Sequence, residues 1–169
     1  MFVLLTQLHR LRRRIGLGAP ERRGSLAVRH VDAGSCNGCE HELGAVSGPH
    51  YDLARYGINV VASPRHADVL LVTGCMTTRM REPLLTAYNA MPEPRLVVAM
   101  GDCALGRGVL GGSTEVLGAV EKVLPVDVDI PGCPPGPEVV ISHLRDAFNL
   151  QRRGASGTER HDRRFRADS

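Results

Sequence analysis

Three features of this sequence predict a doubly wound α/β fold on a mostly parallel sheet. Short apolar runs alternate with longer amphipathic stretches from Leu26 to Leu150, the pattern of strands joined by helical crossovers. Val69-Leu70-Leu71-Val72 is unbroken apolar sequence, as in a strand buried on both faces. Gly- and Pro-rich punctuation follows nearly every run. A chain of 169 residues is one domain by length, with room for tails, and it can bury a core without staples.

The elements follow in order. Residues 2–15 place Leu4, Leu8, Leu11 and Ile15 at helical spacing among Arg10, Arg12, Arg13 and Arg14. That is a short basic amphipathic helix within an extension over 1–25, ended by Gly16 to Pro20. It suits an anionic membrane surface, a partner, or the domain's own surface. Leu26–Val31 is the first strand. Glu40 to about Tyr56 reads as helix, interrupted at Gly48-Pro49. Ile58–Ala62 and Asp68–Thr73 are strands, and Thr78 to about Met91 is a helix stopped by Pro92-Glu93-Pro94. Leu96–Met100 is a strand, Thr114–Val123 a helix and Val126–Ile130 the fifth strand. Pro137 suits the first turn of a last helix, Glu138–Leu150. The domain thus spans 26–150, and residues 151–169, polar and Arg-rich, read as a disordered tail. Such alternation implies right-handed crossovers and a flavodoxin-like layer with helices on both faces.

Charge is partitioned along the chain. The net charge is +3, yet residues 1–30 carry seven Arg and one Glu and residues 151–169 six Arg and three acids, leaving 31–150 at −6. A basic domain surface for nucleic acid is not what this pattern describes. Phe2–Leu5 is too short for a secretory signal, and its basic residues follow it. No run approaches the roughly 18 apolar residues that span a bilayer. These features point to the cytoplasm, where clustered thiols bind metal or do chemistry.

The chain has five cysteines, and each follows a strand. Cys36 and Cys39 follow the first, Cys75 the third, Cys103 the fourth and Cys133 the fifth. In a parallel sheet those loops emerge at one edge, where such folds bind ligands. Gly34, Gly38, Gly74, Gly101, Gly132 and Pro134 surround them, small or rigid residues that let backbone amides approach sulfur. Four thiolates at one rim fit a [4Fe–4S] cluster. A structural zinc would more often show two close Cys-x₂-Cys pairs, a dithiol redox pair would need only Cys36 and Cys39, and core cysteines belong inside strands; these alternatives stay open. Of five thiols for four positions Cys75 is the spare, since Cys103 sits in Gly101-Asp102-Cys103-Ala104 and Cys133 in the rigid Pro131-Gly132-Cys133-Pro134-Pro135.

Gly34-Ser35-Cys36-Asn37-Gly38-Cys39-Glu40, Ser63 to Asp68, Thr73 to Thr77, Gly101 to Ala104 and Val126 to Pro135 occur in order. Together they resemble the small cluster-bearing subunit shared by respiratory complex I, its 20 kDa subunit, and membrane-bound group 4 [NiFe]-hydrogenases, including formate hydrogenlyase. The resemblance covers about residues 26–150. It implies a flavodoxin-like fold and one [4Fe–4S] cluster on Cys36, Cys39, Cys103 and Cys133. It also implies a place against a large subunit that holds a Ni–Fe centre or shapes a quinone cavity. Electrons would then pass to or from a ferredoxin-like subunit. The complex would include membrane subunits, with this chain peripheral on the cytoplasmic face of the inner membrane. Complex I proteins carry adjacent cysteines at the first motif; here Asn37-Gly38 separate them, as in the hydrogenase branch. The alternative is a complex I-type subunit delivering electrons to quinone. Cys75 stands where relatives carry a residue that is not a ligand.

Two further features need weighing. Glu40 and Glu42 flank the cysteine pair and are candidates for a proton relay, or for helix-start carboxylates favoured by the macrodipole. Gly106-Arg107-Gly108-Val109-Leu110-Gly111 spells the G-x-G-x-x-G of a dinucleotide loop. It follows the fourth strand rather than opening the fold, and Cys103 stands between strand and loop, so a covering loop is the simpler reading.

Overall fold

The computed structural model describes residues 24–154. The basic helix expected over 2–15 and residues 155–169 of the tail lie outside them. Five strands form one parallel sheet: β1 Leu26–Asp32, β2 Ile58–Val60, β3 Val69–Thr73, β5 Leu96–Met100 and β7 Val128–Ile130. Their order is β2-β1-β3-β5-β7. Counting sheet strands alone this is 2-1-3-4-5, the flavodoxin order, with its switch point between β1 and β3.

Both faces are covered. On one lie α1 (Gly38–Ser47) and α3 (Pro137–Gly154). Cys39, Leu43 and Val46 of α1 and Val140, Leu144 and Ala147 of α3 pack with Val28, Leu71 and Val98 of the strands, at the spacing that puts side chains on one helix face. On the other face Leu84 and Tyr88 of α2 (Thr78–Asn89) pack with Leu70, Val72, Val97 and Ala99. Every residue of β3 is buried, because it sits centrally between the two layers.

Two expectations need correction. Thr114–Val123 is not a helix. Val116–Gly118 is a short strand, β6, paired antiparallel with β4 (Met76–Thr77), and Val120–Lys122 is a single 3₁₀ turn. Gly118 has φ +110°, a backbone no right-handed helix contains, and the Val120 amide donates to the Ala104 carbonyl at 2.9 Å. This irregular segment, with α2, covers the second face. The last helix also does not stop at Leu150 but runs through Gln151–Gly154; Gln and Arg are good helix formers, and the Arg152 guanidinium lies 5.9 Å from the Phe148 ring centroid. Among the described residues no helix is long and apolar enough to cross a membrane.

Candidate metal centre

The turn after β1 is built by side chains capping backbone. Asp32 Oδ1 accepts the amides of Gly34 and Ser35, each at 2.8 Å. Ser35 Oγ accepts the Asn37 amide at 3.1 Å, and Asn37 enters α1 in the left-handed region, φ 72°, which Asn tolerates better than most residues. Cys36 is exposed, and Cys39, on the first turn of α1, is buried. Glu40 is held from both sides: the Ser35 hydroxyl donates to Oε2 at 2.8 Å and the Thr73 hydroxyl donates to Oε1. Behind Thr73 stands His30, its Nε2 2.8 Å from the Thr73 hydroxyl and 3.6 Å from Glu40 Oε1. Glu42 is half-buried.

The ends of β5 and β7 meet this turn. A Cβ on Gly101 would stand 2.5 Å from Cys39 Sγ, so β5 ends directly against that sulfur. The Gly101 amide donates to the Ile130 carbonyl at 2.8 Å and the Asp102 amide to the Gly132 carbonyl at 2.9 Å. The Gly132 amide returns a bond to Asp102 Oδ1 at 3.0 Å. The Cys103 and Cys133 loops are therefore laced together. The Cβ position of Gly38 lies 3.5 Å from Cys36 Sγ and 3.7 Å from Pro134 Cγ, which brings the Cys133 turn to the start of α1.

The electrostatics record the same gathering. Burial pushes the Cys39 thiol up to about 12, and the charges of Glu40, Cys103, Cys36 and Cys133 add to the rise. Cys103 is also raised, by burial first and then by Cys133, Cys75 and Cys36, against a lowering hydrogen bond from the Leu110 backbone. Cys75 is buried and its thiol donates to the Gly34 carbonyl at 3.2 Å. All five cysteines thus lie at the carboxyl edge, as their positions after strands predict.

Among the described residues no three His, Cys, Asp or Glu side chains are gathered as a single metal ion requires. A zinc ion draws its thiolates around one atom. An iron–sulfur cluster takes one thiolate at each iron, so its ligands stand farther apart. Glycines stand beside three of the sulfurs, Gly38 by Cys36, Gly101 by Cys39 and Gly108 by Cys103, and leave space there that a Cβ would fill. The residues present fit a cluster of this kind. The G-x-G-x-x-G stretch lacks the setting of a dinucleotide loop. Any Cβ on Gly108 would collide with Cys103 Sγ and its backbone, and only a four-residue 3₁₀ turn, Val109–Gly112, follows, without the helix N-terminus that receives a pyrophosphate.

Glu40 and Thr73 each stand at the end of a sequence motif, but nothing in the motifs joins them, and His30 lies outside all of them. The one available signal is a histidine at an inward position of β1, in register with Leu26 and Val28, where an apolar residue is the default.

A doubly wound parallel sheet with a thiol-lined carboxyl edge defines a class of α/β protein. Within it, the chain belongs to the family of the NADH ubiquinone oxidoreductase 20 kDa subunit, whose model matches residues 36–147, from the first cysteine into the last helix. Members are electron-transfer subunits of complex I and group 4 hydrogenases. Formate hydrogenlyase subunit 7 of Escherichia coli is 46% identical over 126 residues, covering 75% of this chain and 49% of the relative. The chain thus spans about half the length of that protein. An NADH-quinone oxidoreductase subunit of Bacteroides thetaiotaomicron is 49% identical over 107 residues, 63% of this chain and 53% of the relative. Among solved structures, a chain of the membrane-bound sulfane sulfur reductase, an archaeal respiratory membrane complex, matches with TM-score 0.68 and 31% identity, over 80% of this chain and 75% of that one. These relatives are subunits of oxidoreductase complexes.

Proposed function

We propose that this chain is an electron-transfer subunit that binds one [4Fe–4S] cluster through Cys36, Cys39, Cys103 and Cys133, within a membrane-attached [NiFe]-hydrogenase of formate hydrogenlyase type. The observation that carries the reading is the lacing of three strand ends around Cys39: Gly101 against its sulfur, Asp102 bonded to Gly132, and Pro134 beside Gly38. Such a cluster, when bound, takes up and releases single electrons. The chain's own residues supply the rest. The four thiols must lose their protons on ligation, so loading competes with protons, most strongly at Cys39, whose thiol lies near 12. In this reading Cys75, whose thiol donates to the Gly34 carbonyl, is the spare thiol. Glu40 and Glu42, on α1 just after Cys39, are proposed to hold or pass protons there, and no residue is assigned as a nucleophile on a substrate.

The partners in this reading are a large subunit with the Ni–Fe centre, a ferredoxin-like subunit that exchanges electrons with the rim, and membrane subunits. The complex would lie on the cytoplasmic face of the inner membrane. A complex I-type role in delivering electrons to quinone is the second reading, favoured by the 49% identity to the Bacteroides subunit. Asn37-Gly38 between the first two cysteines supports the hydrogenase branch. A neighbouring large-subunit gene with two Cys-x-x-Cys pairs would support nickel, and its absence would support quinone chemistry. The test is anaerobic purification with iron and sulfide analysis. The reading expects a brown protein with about four irons per chain; a colourless protein holding one zinc overturns it.

A further inference from the structure

The Cys36–Cys39 turn is tied to the sheet by a line of side chains that the ligand assignment does not explain. A hydroxyl has one hydrogen to give. The Thr73 hydroxyl gives its hydrogen to Glu40 Oε1, so at its 2.8 Å contact with His30 Nε2 it is the acceptor, and Nε2 carries the hydrogen. The Ser35 hydroxyl likewise gives its hydrogen to Glu40 Oε2 and accepts the Asn37 amide. The line therefore runs in a fixed sense: His30 to Thr73 to Glu40, with Ser35 closing from the other side onto the backbone of Asn37. Thr73 is fully buried, and the side chains of His30 and Glu40 are 22% and 19% exposed. Burial holds the His30 pKa below its ordinary value, against the pull of Glu40 and Asp32.

We infer that His30 and Thr73 are positioning residues that fix the first turn of α1, and with it Cys39, through the Glu40 carboxylate. An inward imidazole on β1 and a buried threonine at the end of β3 are explained by this task; packing alone would be met by valine or leucine. Asn37 opens the helix at φ 72°, and its amide is held by Ser35 Oγ, whose hydroxyl donates to the same Glu40 carboxylate. The inference deepens the proposal that Cys39 is a ligand, but its test reads the turn itself in the metal-free chain.

The full-length, metal-free protein is labelled over time with a small alkylating reagent, and each cysteine is followed by peptide mass spectrometry. Thr73→Val preserves shape and removes the middle of the strut; His30→Leu removes its end. In both, labelling of buried Cys39 is expected to rise about two- to tenfold, the weight of one hydrogen bond in a local opening equilibrium. Labelling of Cys103, buried on a separate loop, is expected to stay as in the unaltered chain. Thr73→Ser and His30→Gln, which keep the hydroxyl and an N–H donor, should restore the slow rate at Cys39. An unchanged Cys39 rate in Thr73→Val overturns the inference. So does equal acceleration of Cys39 and Cys103, which would mean general loosening. Failure to bind iron would leave this result standing and would count against the cluster assignment alone.

Discussion

Replacing Gly101 with alanine tests the closest approach in the site. Gly101 has φ +90°, and an added Cβ would stand 2.5 Å from Cys39 Sγ and 3.5 Å from the Gly132 carbonyl oxygen. Two costs follow. A side chain at that φ carries strain of about 1–3 kcal/mol. Crowding a filled interior adds about 1–3 kcal/mol more. Their sum, about 2–6 kcal/mol, is a large share of the 5–15 kcal/mol that holds a typical domain together. For a chain of this size it should lower Tm by at least about 4 °C. It should also displace Cys39 and reduce iron uptake on anaerobic reconstitution. Thermal unfolding of the metal-free full-length chain reads the first effect and iron per chain the second. Gly44 is the control. It lies on α1 with nothing within 4 Å of its Cβ position, and Gly44→Ala should stabilise by about 0.5–1 kcal/mol through the helix backbone alone. If Gly101→Ala melts within about a degree of the parent chain and binds iron fully, the packing of β5 against Cys39 is wrong.

Further expectations concern thiols and pH. In the metal-free chain, exposed Cys36 and Cys133 should be alkylated well before buried Cys39 and Cys103. Cys39 should remain slow at neutral pH because its thiol, near 12, is almost wholly protonated; timed labelling and mass spectrometry check the order, and early labelling of Cys39 would contradict its burial. His30 has a folded-state pKa below its unfolded value of 6.5, by burial. At higher pH both states are neutral there. As pH falls through the unfolded value the unfolded chain gains a proton that the folded chain does not, so stability should decline below about pH 6.5. Denaturant titrations across that range should show the slope, and His30→Gln should remove His30's share of it.

What could be read ahead of the structure was whatever leaves a local trace. The apolar run of β3 survives intact because a central strand has no face to give to water. The placement of cysteines after strands translates directly into one edge, because parallel strands all point the same way. The segment Thr114–Val123 misleads because Val116, Leu117 and Val120 mimic helical spacing, while Gly118 needs a positive φ and Val116 pairs with Thr77. A two-residue strand such as β4 has no periodicity to detect. The strut at Glu40 joins residues 33 apart in sequence at one of its bonds and 43 apart at another, and no local pattern encodes such a meeting. The plain surroundings of Cys75 give no hint that its thiol holds the Gly34 carbonyl, a bond between residues 41 apart in sequence.

The most direct test replaces each of the five cysteines singly by alanine in the anaerobically purified complex and records the EPR signal after reduction. Cys36→Ala, Cys39→Ala, Cys103→Ala and Cys133→Ala should each abolish the signal of a reduced [4Fe–4S] centre, while Cys75→Ala should retain it. A signal that survives the loss of any of the four, or disappears with Cys75, would contradict the ligand set on which the proposed electron transfer rests.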